Sequence, residues 1–226
     1  MLKYKQQSRT KESASSLSDH IFLNIRDDIV ANKLVQGQKL TEEGICKEYE
    51  VSRTPVREAF KQLESEGLIE MIPNRGAFVI GISESEIEDM YCLRKEYEIL
   101  AVRWAIARIS KSELEDLKEA YEFMEFYTMK RDYDKMLNIN TNFHRIIYMA
   151  ARNKILQRIL TEFQTYMKPY RTNSSCSDKD MDRILAEHRD IYQAFLLKDE
   201  EKGAHAMAIH RSEEHTSELQ SPSWIS

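Results

Sequence analysis

The sequence predicts a mainly α-helical chain with one small β-hairpin in its N-terminal part. Apolar residues recur at helical spacing through most of the 226 residues. Two strand-like runs, 68–72 and 77–80, interrupt this pattern and are joined by a Pro-Asn-Arg-Gly turn. Glycine between 82 and 210 is limited to Gly203, and no glycine-rich phosphate loop is present. We therefore expect three helices and a hairpin, followed by an all-α bundle of about six helices.

Three helices are predicted before the hairpin. The first, 17–31, carries leucine or isoleucine every four residues along one face. A short second helix is expected over 41–48, and a third from Ser52 to about Glu66, where Gly67 ends it. Three helices followed by a two-stranded hairpin form a winged helix-turn-helix, in which the third helix enters the DNA major groove.

The third helix combines a capping signal with two arginines. Ser52 or Thr54 can cap it through a hydroxyl, and Pro55 suits the first helical position, where its missing N–H costs nothing. Arg53 and Arg57 project from one face near the positive end of the helix dipole. Guanidiniums in that place suit phosphate oxygens and the O6/N7 edge of guanine. The alternative is an exposed surface helix with salt bridges.

Charge and composition limit this interpretation. The net charge is −5, yet residues 1–81 hold twelve Lys/Arg and twelve Asp/Glu, so DNA binding must depend on where charge is placed. No apolar run reaches transmembrane length and the N-terminus lacks the apolar core of a signal peptide, which predicts a cytoplasmic protein. The cysteines show no CxxC spacing and are expected to be reduced thiols: Cys46, Cys92 and Cys176.

Four segments resemble the DNA-binding domain of GntR-type bacterial transcriptional regulators: Gly37, 52–59, 63–68 and 74–79. The resemblance covers about 15–81 and implies a bacterial, nucleoid-associated protein whose third helix touches operator DNA. It also implies that the wing around Gly76 approaches the minor groove. With Arg75 at the wing tip, the predicted DNA-binding residues are Ser52, Arg53, Thr54, Arg57, Arg75 and Gly76.

The C-terminal part is predicted to be entirely helical. The segments 83–86 and 112–115 match the capping-box pattern and open the first two helices, the first of which runs to about Ile109. Further helices are expected at 133–151, 153–171, 179–198 and 200–210.

Three histidines fall on three different helices of this bundle: His144, His188 and His210. Asn140 precedes His144 by four residues, so both side chains leave the same helix face. Neutral imidazoles with one oxygen ligand suit Zn²⁺, Ni²⁺, Co²⁺ or Mn²⁺. The alternatives are interfacial polar histidines, or a metal-dependent hydrolase, for which we find no convincing general base beside the histidines.

The bundle resembles the C-terminal ligand-sensing (FCD) domain of the FadR-like branch of GntR regulators at 94–98, 140–144, 150–153 and 187–188. In many relatives that domain holds a divalent metal through one carboxylate and three histidines, and the metal anchors a small organic acid. The matching positions, with asparagine where aspartate is usual, are Asn140, His144, His188 and His210. Arg94 is a candidate for pairing with an effector carboxylate, or alternatively for a salt bridge to Glu98.

These observations predict four segments: a disordered arm (1–14), a winged helix-turn-helix (15–81), a ligand-sensing bundle (82–210) and a non-native tail (211–226). The tail is set apart because 211–221 looks like the in-frame translation of a sequencing adapter, the alternative being a native polar tail. We expect a homodimeric regulator, not an enzyme, that binds a pseudo-palindromic operator under control of a small carboxylate effector. The alternative is a direct metal-sensing regulator without an organic effector.

Overall fold

The computed structural model describes residues 14–167 and 177–219, with side chains described for most of 17–212. The chain divides into two compact units, Met1–Ser83 and Glu84–Ser226, and each is described by itself. Most of the predicted N-terminal arm lies outside the described residues, as do the predicted end of the 153–171 helix and Cys176.

The N-terminal unit contains three helices and a small sheet. In chain order they are α1 (Ala14–Val30), β1 (Lys39–Leu40), α2 (Glu42–Tyr49), α3 (Arg53–Ser65), β2 (Ile69–Ile72) and β3 (Gly76–Val79). Apolar side chains from α1, α3 and β2 form the core, among them Ile21, Ile25, Val56, Phe60, Leu63 and Ile69. The predicted winged helix-turn-helix is confirmed, and each predicted helix lies within a few residues of its expected position.

The sheet has one strand more than the sequence predicted. Strand β3 pairs antiparallel with both β2 and β1, which gives the order β1-β3-β2. With two residues, β1 is too short to show an alternating pattern. Gly76 permits its pairing, because φ there is +101° and a Cβ would lie 3.3 Å from Lys39 Cε and 3.5 Å from the Leu40 carbonyl oxygen. Gly76 therefore has a structural role in the wing beside the DNA contact predicted for it.

The start of α3 differs from the predicted cap. Ser52 stands at the N-cap position, but its side chain makes no capping hydrogen bond. The alternative cap, Thr54, is wrong, because the helix already begins at Arg53 and Thr54 is its second residue. Pro55 is the third helical residue rather than the first, and it is tolerated there because the first four N–H groups of a helix have no intrahelical partner.

The C-terminal unit is an all-α bundle, as predicted. Its helices are α4 (Glu84–Arg108), α5 (Lys111–Met129), α6 (Tyr133–Ala150), α7 (Lys154–Met167), α8 (Asp178–Leu197) and α9 (Glu200–Leu219). Helix α9 packs against α4 and α8, α5 packs against α6 and α8, and α6 and α7 pack against each other and against α4. Among the described residues, none of the helices combines the length and the apolar character needed to cross a lipid bilayer.

Two boundaries in this unit differ from the predictions. The capping box of α5 joins Ser110 and Glu113, two residues before the predicted one, and the Glu113 carboxylate also accepts a hydrogen bond from Arg152 at 2.6 Å. The segments 110–113 and 112–115 both match the Ser-x-x-Glu pattern, so the sequence does not distinguish them. The Arg152 partner that favours Glu113 is brought close only when the bundle folds. Helix α9 continues past the predicted end at His210 without a break.

Candidate functional site

Helix α3 presents an exposed polar face at its N-terminal end. Ser52, Arg53, Thr54 and Arg57 are exposed, whereas Val56 faces the core and is fully buried. The Nε of Arg57 donates to Glu42 Oε1 at 2.8 Å, and this hydrogen bond raises the pKa of Arg57. Because the Arg57 side chain is 59% exposed, solvent screens the pair and it stabilises the fold little.

The wing carries two cations beside Phe78. The Arg75 guanidinium carbon lies 5.7 Å from the Phe78 ring centroid, and Lys39 Nζ lies 6.0 Å from it. Arg75 is exposed at the hairpin turn, after Asn74 with a φ of 62°. Lys39 is not among the predicted DNA-binding residues, because it joins the wing only through the pairing of β1 with β3.

Three histidines from α6, α8 and α9 meet in the core of the bundle. His144 and His188 are fully buried and His210 is 2% exposed, whereas His205 is exposed. The Nε2 atom of His144 lies 3.2 Å from the Nε2 atoms of both His188 and His210. Ring nitrogens from three helices therefore face a common point.

Asn140 supplies an oxygen atom beside these rings. It precedes His144 by one turn of α6, is buried, and its Oδ1 lies 3.0 Å from His188 Nε2. A tetrahedral ion with bonds of 2.0–2.1 Å to nitrogen needs ligand atoms about 3.3 Å apart, which is close to the separations found here. The structure thus brings together all four residues that the sequence predicted as metal ligands.

Hydrogen bonds at the other ring nitrogen fix the orientation of the histidines. The Nδ1 of His188 lies 2.7 Å from the Ile184 carbonyl oxygen, and the Nδ1 of His210 lies 2.7 Å from Glu187 Oε2. Carbonyl and carboxylate oxygens accept, so both Nδ1 atoms must donate. In a neutral ring, Nε2 then carries the lone pair and is the atom that a metal ion would bind.

A buried ionic cluster lies against His144. Glu98 accepts hydrogen bonds from Arg94 Nε at 2.8 Å and from the Tyr148 hydroxyl at 2.5 Å, both on Oε1. Its Oε2 accepts from Arg211 Nε at 2.5 Å. All four side chains are buried. Arg94 therefore forms the salt bridge that was the alternative to its predicted role as an effector ligand.

The surroundings keep the ring of His144 neutral. Burial, followed by the charge of Arg211 and the other two histidines, lowers the pKa of His144 well below its ordinary value. Burial alone would raise the pKa of Glu98, but Arg211 and Arg94 outweigh it and hold that pKa below its usual range. Metal ions bind the neutral imidazole, so His144 is in the form that a metal requires.

Comparison with known proteins assigns both units. The model of the bacterial regulatory proteins of the gntR family matches residues 17–79, and the FCD domain model matches residues 89–213, more than half of the chain. The chain belongs to the GntR family of regulators with an FCD domain. Members of this family are transcriptional regulators that bind DNA, and this GntR-family chain is not an enzyme.

Two relatives of this GntR-family chain are named as repressors. The HTH-type transcriptional repressor RspR of Escherichia coli K12 is 26% identical, over 87% of this chain and 86% of its own. The gluconate operon transcriptional repressor of Bacillus subtilis 168 is 28% identical, over 95% of this chain and 89% of its own. The solved structure of E. coli McbR/YncC shares the fold, with a TM-score of 0.69 at 21% identity, covering 90% of this chain and 97% of its own.

Three residues near the histidines had no predicted role at the site: Glu187, Arg211 and Glu98, the last of which was named only as a possible partner of Arg94. Glu187 directly precedes His188, but adjacent positions on a helix give no sign that its carboxylate reaches His210 on another helix. Arg211 was assigned to the non-native tail, yet it is buried and lies within the part of this GntR-family chain that matches the FCD domain.

Proposed function

We propose that this chain is a homodimeric transcriptional repressor whose operator affinity changes when a small organic acid binds in the helical unit through a divalent metal. The observation that carries the metal part of the proposal is the convergence of three histidines in a buried core, where His144 Nε2 lies 3.2 Å from the Nε2 atoms of both His188 and His210. Repression is inferred from the relatives, since both RspR and the gluconate regulator are repressors.

The exposed arginines of α3 support operator recognition. The N-terminal unit has equal numbers of basic and acidic residues over 1–81, so it lacks the bulk positive field that would hold DNA without specific contacts. Arg53 and Arg57 stand on the first turns of α3, where an arginine can reach guanine while the helix lies in the major groove. A two-fold symmetric dimer would present two such helices to a pseudo-palindromic site.

Replacing Arg53 or Arg57 with alanine is expected to weaken specific operator binding by roughly 1–3 kcal/mol each, since each loses a contact to a base or phosphate. The operator is first obtained by selecting random duplexes on the wild-type chain, and affinity is then measured by fluorescence anisotropy at fixed salt. Lys33→Ala is the control, because Lys33 is an exposed cation outside α3 that pairs with Asp28. Full affinity in both arginine variants would contradict the proposed interface.

The residues of the bundle supply the proposed metal site. His144, His188, His210 and Asn140 would hold the ion, and their buried position would shield it from water. A bound divalent ion provides a positive centre that attracts a carboxylate. For the effector to act, it must bind the DNA-competent and DNA-incompetent states with different affinity.

A second candidate, a direct metal sensor without an organic effector, is favoured by two observations. If the three histidines and the nearby Asn140 oxygen all bind one four-coordinate ion, no open position is left on it for an acid. Arg94, the residue predicted to bind an effector carboxylate, is instead paired with Glu98.

Metal removal separates the two candidates. For an acid-responsive repressor, we expect a chelator to weaken the effect of added hydroxy- or keto-acids on operator affinity, with restoration by Zn²⁺ or Ni²⁺. For a direct sensor, the ion alone should change operator affinity and the acids should have no further effect. Anisotropy titrations of labelled operator, with and without each ion and acid, measure both responses. Operator affinity that responds to neither would contradict both candidates.

A further inference from the structure

Arg211 brings a positive charge directly against the histidines. Its side chain is buried, and its Nη2 lies 3.0 Å from both ring nitrogens of His144. The predicted metal ligands face the same ring from the other helices, since Nε2 of His144 is also 3.2 Å from Nε2 of His188 and His210. A guanidinium cation and a divalent ion would therefore share the surroundings of one imidazole.

We infer that Arg211 opposes metal binding at His144, His188 and His210 and thereby sets the metal affinity of this chain; the inference rests on the metal site proposed above. Two effects of its position carry the inference. One is direct electrostatic repulsion of the metal ion. The other is that Arg211 occupies the Glu98 carboxylate oxygen that would otherwise accept a hydrogen bond from His144.

Repulsion follows from the charges inside the bundle. Glu98 carries one negative charge, and its carboxylate is bonded to two guanidiniums, Arg94 and Arg211. This group of three therefore has a surplus positive charge beside His144 before any metal arrives. Like charges a few ångströms apart repel strongly in a buried site, because water does not screen them there.

The second effect arises because Arg211 and His144 face the same carboxylate oxygen of Glu98. Oε2 of Glu98 accepts from Arg211 Nε at 2.5 Å and lies 3.5 Å from Nδ1 of His144. A carboxylate that accepts the Nδ1 proton of a metal-bound histidine makes that ring a better ligand, and losing such a partner typically costs about 10–100-fold in metal affinity. Arg211 holds this oxygen, so His144 lacks a short bond of the kind that His210 makes to Glu187 at 2.7 Å.

Arg211 is also the first residue of the segment that the sequence predicts to be non-native. The inference concerns the chain as it stands and does not depend on the origin of the residue, because both effects follow from its position and charge.

The test compares Zn²⁺ affinities of full-length variants by competition with a chromophoric chelator. Arg211→Gln removes the charge and keeps a donor for Glu98, so its Zn²⁺ affinity should rise about tenfold or more over wild type. Arg211→Met serves as a second neutral variant if the glutamine variant folds poorly, with folding checked by circular dichroism. Arg211→Lys retains the charge and should stay within a few-fold of wild type. Lys202→Gln removes a more distant charge from the same helix and should leave the affinity unchanged.

Three outcomes would overturn the inference. If wild type binds Zn²⁺ and a folded neutral variant at Arg211 binds no more tightly, Arg211 does not oppose the metal, and the proposed metal site stands. If neither wild type nor the neutral variants bind Zn²⁺, the proposed metal site fails together with the inference. A rise in Arg211→Lys equal to that in Arg211→Gln would also contradict it, because the charge would then play no part.

Discussion

Replacing Glu98 with alanine is expected to lower the free energy of unfolding of the helical unit by roughly 3–5 kcal/mol, because it removes one partner from a buried ionic group. Glu98 is fully buried and is the common acceptor for Arg94, Arg211 and Tyr148. Without it, two guanidiniums would remain in the core with no carboxylate between them. The loss is measured by unfolding in urea, followed through the helical circular dichroism signal.

The matched control for this prediction is Glu96→Ala. Glu96 lies on the same helix two residues earlier and is exposed, so its replacement should change stability by no more than about 0.5 kcal/mol. Glu98→Gln should fall between the two, because glutamine keeps the shape and one acceptor oxygen but loses the charge. Equal stabilities for the alanine variants at 96 and 98 would show that the buried network contributes little.

Zn²⁺ in about hundredfold excess over its dissociation constant should stabilise the wild-type chain by about 2.7 kcal/mol, since the ion binds the folded state. For a unit of this size, the melting temperature should rise by roughly 5–10 °C. His144→Ala should abolish this rise, because His144 Nε2 is the atom that lies 3.2 Å from both other Nε2 atoms. Differential scanning calorimetry with and without Zn²⁺ measures the shift for each protein.

His205→Ala provides the control for the metal-induced shift. His205 lies on α9, as His210 does, but it is exposed and outside the cluster. Its replacement should leave the shift intact. The comparison uses the difference between metal-free and metal-loaded melting temperatures, so a change in basal stability in His144→Ala does not affect it. A shift retained in His144→Ala would contradict the metal site.

Family membership and fold class were predictable from the sequence because both depend on local patterns. The turn at 73–76, the periodic apolar residues and the segment 52–59 each carry their signal within a few residues. The family models and the structure confirm the winged helix-turn-helix and the helical bundle. Strand β1 was missed because two residues give no alternating pattern.

The grouping of the histidines shows how far such patterns reach. Spacing placed Asn140 and His144 on one helix face, and the family resemblance selected His188 and His210 from the remaining histidines. Nothing in the spacing gave the distances among the rings, because those depend on how α6, α8 and α9 pack. The capping box of α5 was misplaced for a similar reason, since the partner that distinguishes Glu113 is Arg152, on the turn after α6.

By itself, the sequence determined the two-part architecture and the arginine face of α3, because helical periodicity and short motifs are local properties of a chain. The four candidate metal ligands came from the family resemblance. Only the tertiary structure decided that Arg94 pairs with Glu98, that Glu187 orients His210, and that Arg211 lies against His144. These contacts join residues on different helices or select one partner from several. They follow from the burial of charged groups, which must find opposite charges or hydrogen-bond partners wherever the packing of the helices places them.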